Sequence, residues 1–362
     1  MPNFLIAQNN GWLAQKASGV FNATYNANIA GSQPTPYFNA MPNAGYLTNA
    51  SVVSYLQTGA VGELGNFYQS NKINGTNNYY LNPNVLGANV LTNYSNSSYN
   101  GLQMEMSRRF SKGLSLQANY TWSKVLSDSQ GNQQTDFEPF LDINNAKIER
   151  SRTQASDLRQ VFKANFNYDL PFGEGHKLNE RHMNRVLSGW KTAGIFTAQS
   201  GTPFSILSVR GTLNRAARST YNTVNTTLTG SQLNDLFQLR MTGTGPMYVA
   251  ASAIGSDGRA VAPDGSAPFT GQVFFEPAAG TIGSLQRMDM SGPSVWDLDF
   301  NLKKETKITE RHSIELRMDA TNVMNHATWV VGNQTVTSTT FGKITGNFYG
   351  RRLVQFALYY KF

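Results

Sequence analysis

The chain contains no cysteine and, for its 362 residues, little charge. The first absence excludes disulfides, thiolate nucleophiles and Cys-ligated zinc. The second is a matter of degree: Asp, Glu, Lys and Arg make up 14% of the residues, against roughly 25% in a soluble globular domain. Asn, Ser, Thr, Gln and Gly fill the difference. A hydrophobic share of 40% with a mean hydropathy of −0.37 means that apolar residues are dispersed rather than pooled. No window approaches the ~18 apolar residues of a membrane-crossing helix, so only a β-barrel could span a bilayer. The opening MPNFLIAQNNGW has no basic segment followed by an apolar core, so no secretory leader is visible. A barrel without one is expected to be an excerpt of a longer precursor, or a reading frame begun at an internal Met. Dense basic blocks are missing as well. The 30 basic residues against 22 acidic ones, net +8, are scattered, which argues against nucleic acid as a partner.

What is present divides near residue 96. Residues 1–96 are rich in Asn, Gly, Ala, Ser and Tyr, carry turn signals such as Pro34-Thr35-Pro36, and show no sustained period. They read as a mostly irregular extracellular loop region with one short helix between about Ser51 and Phe67. From Tyr99 strict alternation begins. Leu102, Met104 and Met106 fall on one face of a strand, with Gln103, Glu105, Ser107 and Arg109 on the other. After Ser111-Lys112-Gly113 the pattern resumes, with Leu116, Ala118, Tyr120 and Trp122 against Gln117, Asn119 and Thr121. Further strands are expected at 160–170, at 189–200 (the weakest, apolar on both faces), at 294–304, after the turn near Thr309-Glu310-Arg311, and at the C-terminal VQFALYYKF. Connections alternate between shorter and longer ones, the parity of an antiparallel transmembrane barrel with short periplasmic turns and long extracellular loops. Residues 97–362 are therefore expected to form a C-terminal β-barrel segment of about seven strands.

A soluble sandwich would alternate in the same way. Strand length, aromatic residues at strand ends (Tyr120, Trp122, Tyr168, Phe172, Trp190, Trp296) and charges of both signs on the opposite face favour lipid. The ending Phe356, Leu358, Tyr360, Phe362 resembles the signal by which the barrel-assembly machinery recognises outer-membrane barrels.

Four stretches carry a closer likeness: SSYNGLQMEMSRRFSKGLSLQANYTWSKVLSD (97–128), GWKTAGIFTAQSGTPFSI (189–206), WDLDFNLKKETKITERHSIELRMDATNVMNH (296–326) and FGKITGNFYGRRLVQFALYYKF (341–362). As a set, over roughly residues 84–362, the sequence resembles the C-terminal end of Oar-like TonB-dependent receptors. That resemblance implies a barrel of about 22 strands with a plug in its lumen. It also implies energised uptake of a scarce nutrient through the TonB complex, in the outer membrane of a Gram-negative bacterium. The plug, the TonB box and the remaining strands are not recognisable in this chain, so its expected partners are upstream strands and plug, the assembly machinery and outer-membrane lipid.

No chemistry of catalysis is apparent. His176, His182, His312 and His326 show no HExxH spacing and read as turn or loop histidines. PFGEGHK lacks the GK[ST] of a phosphate loop, and no GxSxG elbow is present. Asp257-Gly258 and Asp264-Gly265 read as turns rather than calcium sites. Neither a cofactor nor a metal is expected. The one functional arrangement is a row expected to face the lumen: Glu105, Arg109, Lys163, Asp297, Asp299, Lys303, Glu315, Arg317 and Asp319. Transport by a receptor is the leading expectation. Its alternatives are a barrel that anchors surface adhesion loops, or a small self-contained barrel of about eight strands drawing its extra strand from residues 84–95.

Overall fold

The computed structural model describes residues 1–85, 91, 93, 95–129, 141, 142, 145–154, 156–173, 184–212 and 222–362. One antiparallel sheet of seven strands dominates it: β1 (Ser97–Ser111), β2 (Leu114–Ser127), β3 (Gln160–Asp169), β4 (Trp190–Gln199), β5 (Val295–Lys307), β6 (Ser313–Thr321) and β7 (Leu353–Lys361). Each strand pairs with its neighbour in chain order, so every connection is a hairpin. The first hairpin is tighter than its sequence suggests. Only Lys112 and Gly113 turn, both at positive φ (53° and 82°), the geometry whose twist matches the flanking strands. A bulge between Arg108 and Ser111 absorbs the mismatch.

Because directly opposed residues share a face, the register shows whether the alternation of one strand agrees with the next. It agrees across the whole sheet. Met104 faces Tyr120, Tyr120 faces Phe162, and Phe162 faces Ala198. Ala198 in turn faces Trp296; further along, Phe300 faces Ala320, which faces Val354. One apolar face therefore runs from β1 to β7. On the edge strands its side chains are uncovered: Met106 is 58% and Leu358 71% exposed. Among the described residues the remaining sheets have two strands each and do not cover this face, which removes the soluble sandwich. The outer edges of β1 and β7 have no strand partner among the described residues, so the sheet is open. The residues that would supply an eighth strand, 84–95, lie largely outside the described residues.

At the end of the sheet where the long connections leave, the chain builds a folded lobe. Phe204, Ile206, Val224, Leu233, Phe274 and Phe341 form its core, so the connections before β5 and β7 pack together rather than standing as separate loops. The exit from β4 is fixed by close backbone approach: a Cβ on Gly201 would lie 1.9 Å from the carbonyl oxygen of Gly292.

The N-terminal region corrects the expectation of an irregular loop. Helices α1 (Pro2–Ser18), α2 (Ala50–Gln57) and α3 (Val61–Ser70) enclose Phe4, Phe38, Val52, Leu56, Leu64 and Tyr68. The buried stripe of α1 is Phe4, Ala7, Asn10, Gly11 and Ala14, helically spaced but mostly small or polar, so it gives almost no apolar period. Asn10 is tolerated inside because it mimics a strand partner. Its amide donates to the Gln33 carbonyl at 2.8 Å and its oxygen accepts from the Gln33 N–H at 2.9 Å. The single helix expected near 51–67 is two. Asn49 caps the first through the N–H of Ser51 at 2.9 Å, and Gly59, at φ 66°, turns the chain between them.

Arg210 locks this helical unit to the lobe. Its guanidinium donates to the Gln57 carbonyl at the end of α2 (3.0 Å), pairs with Asp264, and lies 3.2 Å from Glu276, which also accepts from the Ser208 hydroxyl at 2.7 Å. Burial pushes both carboxyls above the usual carboxylate range, with Arg210 pulling them partly back.

Two outcomes are expected. Leu56→Ala, at a fully buried site, costs the helical unit about 2–5 kcal/mol, read from denaturant midpoints or the onset of limited proteolysis. Arg210→Ala leaves the largely covered Glu276 and the half-buried Asp264 without their cation and costs about 1–3 kcal/mol near pH 7. Because raised folded-state pKa values favour the folded form at low pH, that loss shrinks as the pH falls and the carboxyls take up protons. A loss independent of pH would contradict it.

Candidate lumen-facing wall

The face opposite the lipid-type face collects the polar residues of all seven strands. Its longest row is Glu105, Asn119, Lys163, Thr197 and Asp297, each directly opposite the next across β1 to β5. Asp299 lies on the same face two positions after Asp297, where its carboxylate accepts from the Asn322 N–H at 3.0 Å. Glu105 is held by the Gln117 amide at 3.1 Å, and Gln117 accepts from the Asn165 amide at 3.4 Å. Arg109 sits in the bulge of β1 and has no direct cross-strand partner.

The densest charge lies near the short-turn end of β5, β6 and β7. Lys303 stands opposite Arg317, and Glu305 opposite Glu315. Like charges placed this way repel. The conflict is relieved diagonally. Lys303 reaches Glu315 at 2.7 Å, Lys361 of β7 pairs with Glu315 and approaches Glu305 at 3.8 Å, and Arg317 turns along its own strand to Asp319 at 2.8 Å. Asp319 also accepts from the Asn301 amide at 2.7 Å. Glu305, Lys361 and Asn301 were absent from the row read in the sequence. Alternation already puts them on the polar face, but only the pairing of strands shows which charges they meet. A further pair, Lys191 with Asp169 at 3.3 Å, joins β3 and β4 on the same face.

The chain's last residues occupy the apolar side. Phe356 opposes Met318, Leu358 opposes Leu316 and Tyr360 opposes Ile314. Tyr360 hydrogen-bonds to His312 of the β5–β6 turn at 2.8 Å and stacks on both His312 and Phe362, which is 93% exposed. Aromatic rings mark both ends of the sheet. Trp296 stacks on His326 at 4.0 Å near the lobe, and Trp190 lies under Lys304 near the short turns. His176 and His182 fall outside the described residues. Among the described residues no group of three His, Asp or Glu side chains converges as a metal site would require.

A family model described as an outer membrane beta barrel domain matches residues 13–355. No curated protein matches the sequence.

The cysteine-free background makes the two faces separately addressable. In cells, Glu105→Cys and Asn119→Cys are expected to react with a membrane-impermeant maleimide, whereas Met104→Cys and Tyr120→Cys are expected to be shielded by hydrocarbon. Equal labelling of neighbouring positions would contradict the assignment of faces.

Proposed function

The chain belongs to the outer membrane beta barrel domain family and its place is the outer membrane of a Gram-negative bacterium; from that premise we propose that it is the C-terminal part of the wall of a TonB-dependent receptor of the Oar-like kind. Such a receptor takes up a scarce nutrient, and this portion catalyses no reaction. The observation that carries the reading is the polar face: a continuous wall of charges of both signs, with Glu105, Lys163, Asp297, Lys303, Glu315, Arg317 and Asp319 on one side of the sheet. Such a wall suits a wet interior or a polar plug far better than a packed core.

The open edges support a larger barrel. Unpaired N–H and C=O groups along β1 and β7 would each cost several kcal/mol in hydrocarbon, so further strands of the receptor are the natural partners. Phe356, Leu358, Tyr360 and Phe362 project from the last strand as the signal for the assembly machinery. Exposed apolar side chains on the other strands meet the lipid.

A second reading, a barrel that anchors a surface adhesin, draws its support from the folded outer lobe, whose two cores resemble a domain more than a set of loops. TonB separates the two. The full gene product, extracted folded in detergent and shown to migrate differently after heating, is expected to capture the periplasmic domain of TonB. Folded protein that captures none would overturn transport in favour of anchoring.

A further inference from the structure

Where the sheet meets the lobe there is a cavity of about 290 Å³, close to the lower bound of ligand pockets, roughly 300–1,000 Å³. It opens on the polar side of the wall. Gln199 and Val295, directly opposed at the outer ends of β4 and β5, line it on the face that carries Asp297. Trp329 and Phe348 supply aromatic surface from the connection before β7, and Gln154, Gln334 and Thr202 add amides and a hydroxyl. No charged side chain lines it. Among the described residues, the amide groups of Gln154, Gln199 and Gln334 have no side-chain partner in the chain and are free to bind.

The lining is also held in place. Trp329 packs against the lobe core and bridges to Asn347. The Phe348 N–H donates to Thr328 at 2.9 Å, and the Gln334 carbonyl accepts from Leu207 at 2.9 Å. A prepared site of this kind binds without the cost of ordering its walls.

We infer that this cavity is a binding site for a neutral, polyhydroxylated solute, a carbohydrate, at the entrance to the lumen. Aromatic faces accept the apolar C–H face of a sugar ring, while amides offer donor and acceptor together, the pattern a hydroxyl needs. An anionic chelate or a charged peptide would find no countercharge. The inference rests on the transport reading and names its solute class, but binding and uptake are separable by experiment.

The full gene product in outer-membrane vesicles is titrated with maltohexaose, cellohexaose and xylohexaose, with trilysine, triaspartate and ferric citrate as charged probes. At least one hexasaccharide is expected to bind saturably and none of the charged probes to compete. Trp329→Ala is expected to abolish binding, and Gln199→Ala with Gln334→Ala to lower affinity about tenfold, as loss of two neutral hydrogen bonds implies. Trp329→Phe, which keeps a ring, is expected to retain weakened binding, and heat-modified migration verifies that each variant is folded. Failure of every hexasaccharide, indifference to these substitutions, or displacement by a charged probe overturns the inference. Any of these with TonB capture intact leaves transport standing. Binding without TonB capture retains the site and removes uptake.

Discussion

In hydrocarbon no water is available to satisfy a backbone N–H or C=O, and this constraint organises the rest of the molecule. It demands that every strand in the membrane be paired along its length, and pairing turns the period-two pattern of single strands into two continuous faces. The faces are consistent only in registers of one parity, because a slip of one residue would carry every apolar side chain of a strand to the wet side. The matched sequence of opposed residues from Met104 to Ala198 is that parity made visible.

On the wet side the same pairing creates a problem that the side chains resolve. Lys303 against Arg317 and Glu305 against Glu315 are unfavourable opposites, relieved because Lys303 and Lys361 gather on Glu315, Lys361 approaches Glu305, and Arg317 turns to Asp319. Losing Glu315 would leave Lys303 without its partner and Lys361 with only the longer contact to Glu305. Nearer the lobe the wall is more neutral, and the cavity at Gln199 and Val295 has no charge of its own. Along the same face the amide and aromatic lining of that cavity gives way to the carboxylates of Asp297 and Asp299.

The sheet was legible in the sequence because its signal is local: alternation, strand length and the parity of connections. Strand β4 was faint for a reason the structure gives. Ile195 points to the polar side, while Gly194 takes a place on the apolar face that Phe166 of β3 overlies. An aromatic from the neighbour thus supplies the apolar surface that glycine lacks. The helical unit was not legible, since α1 buries alanine, glycine and a hydrogen-bonded asparagine, residues that carry no hydrophobic period. Strand register places Glu105, Lys163 and Asp297 in one row and Asp299, Lys303, Glu315, Arg317 and Asp319 on the same face, with Arg109 in the bulge of β1. The partners of these charges, Lys361 and Glu305 above all, depend on which strand lies beside which, a fact no single strand contains.

The outer lobe is tied together by residues far apart in the chain. Arg210 reaches Gln57 across 153 positions, and Arg152 reaches Ser291 across 139. Except between β4 and β5, where Trp190 meets Lys304 across the whole 201–293 connection, the strands of the sheet pair over much shorter spans, and closure over short spans is faster. Among the described residues, five of the six pairings in the wall can therefore form between near neighbours in the chain, whereas the pairing of β4 with β5 and the core of the lobe depend on the same long connection.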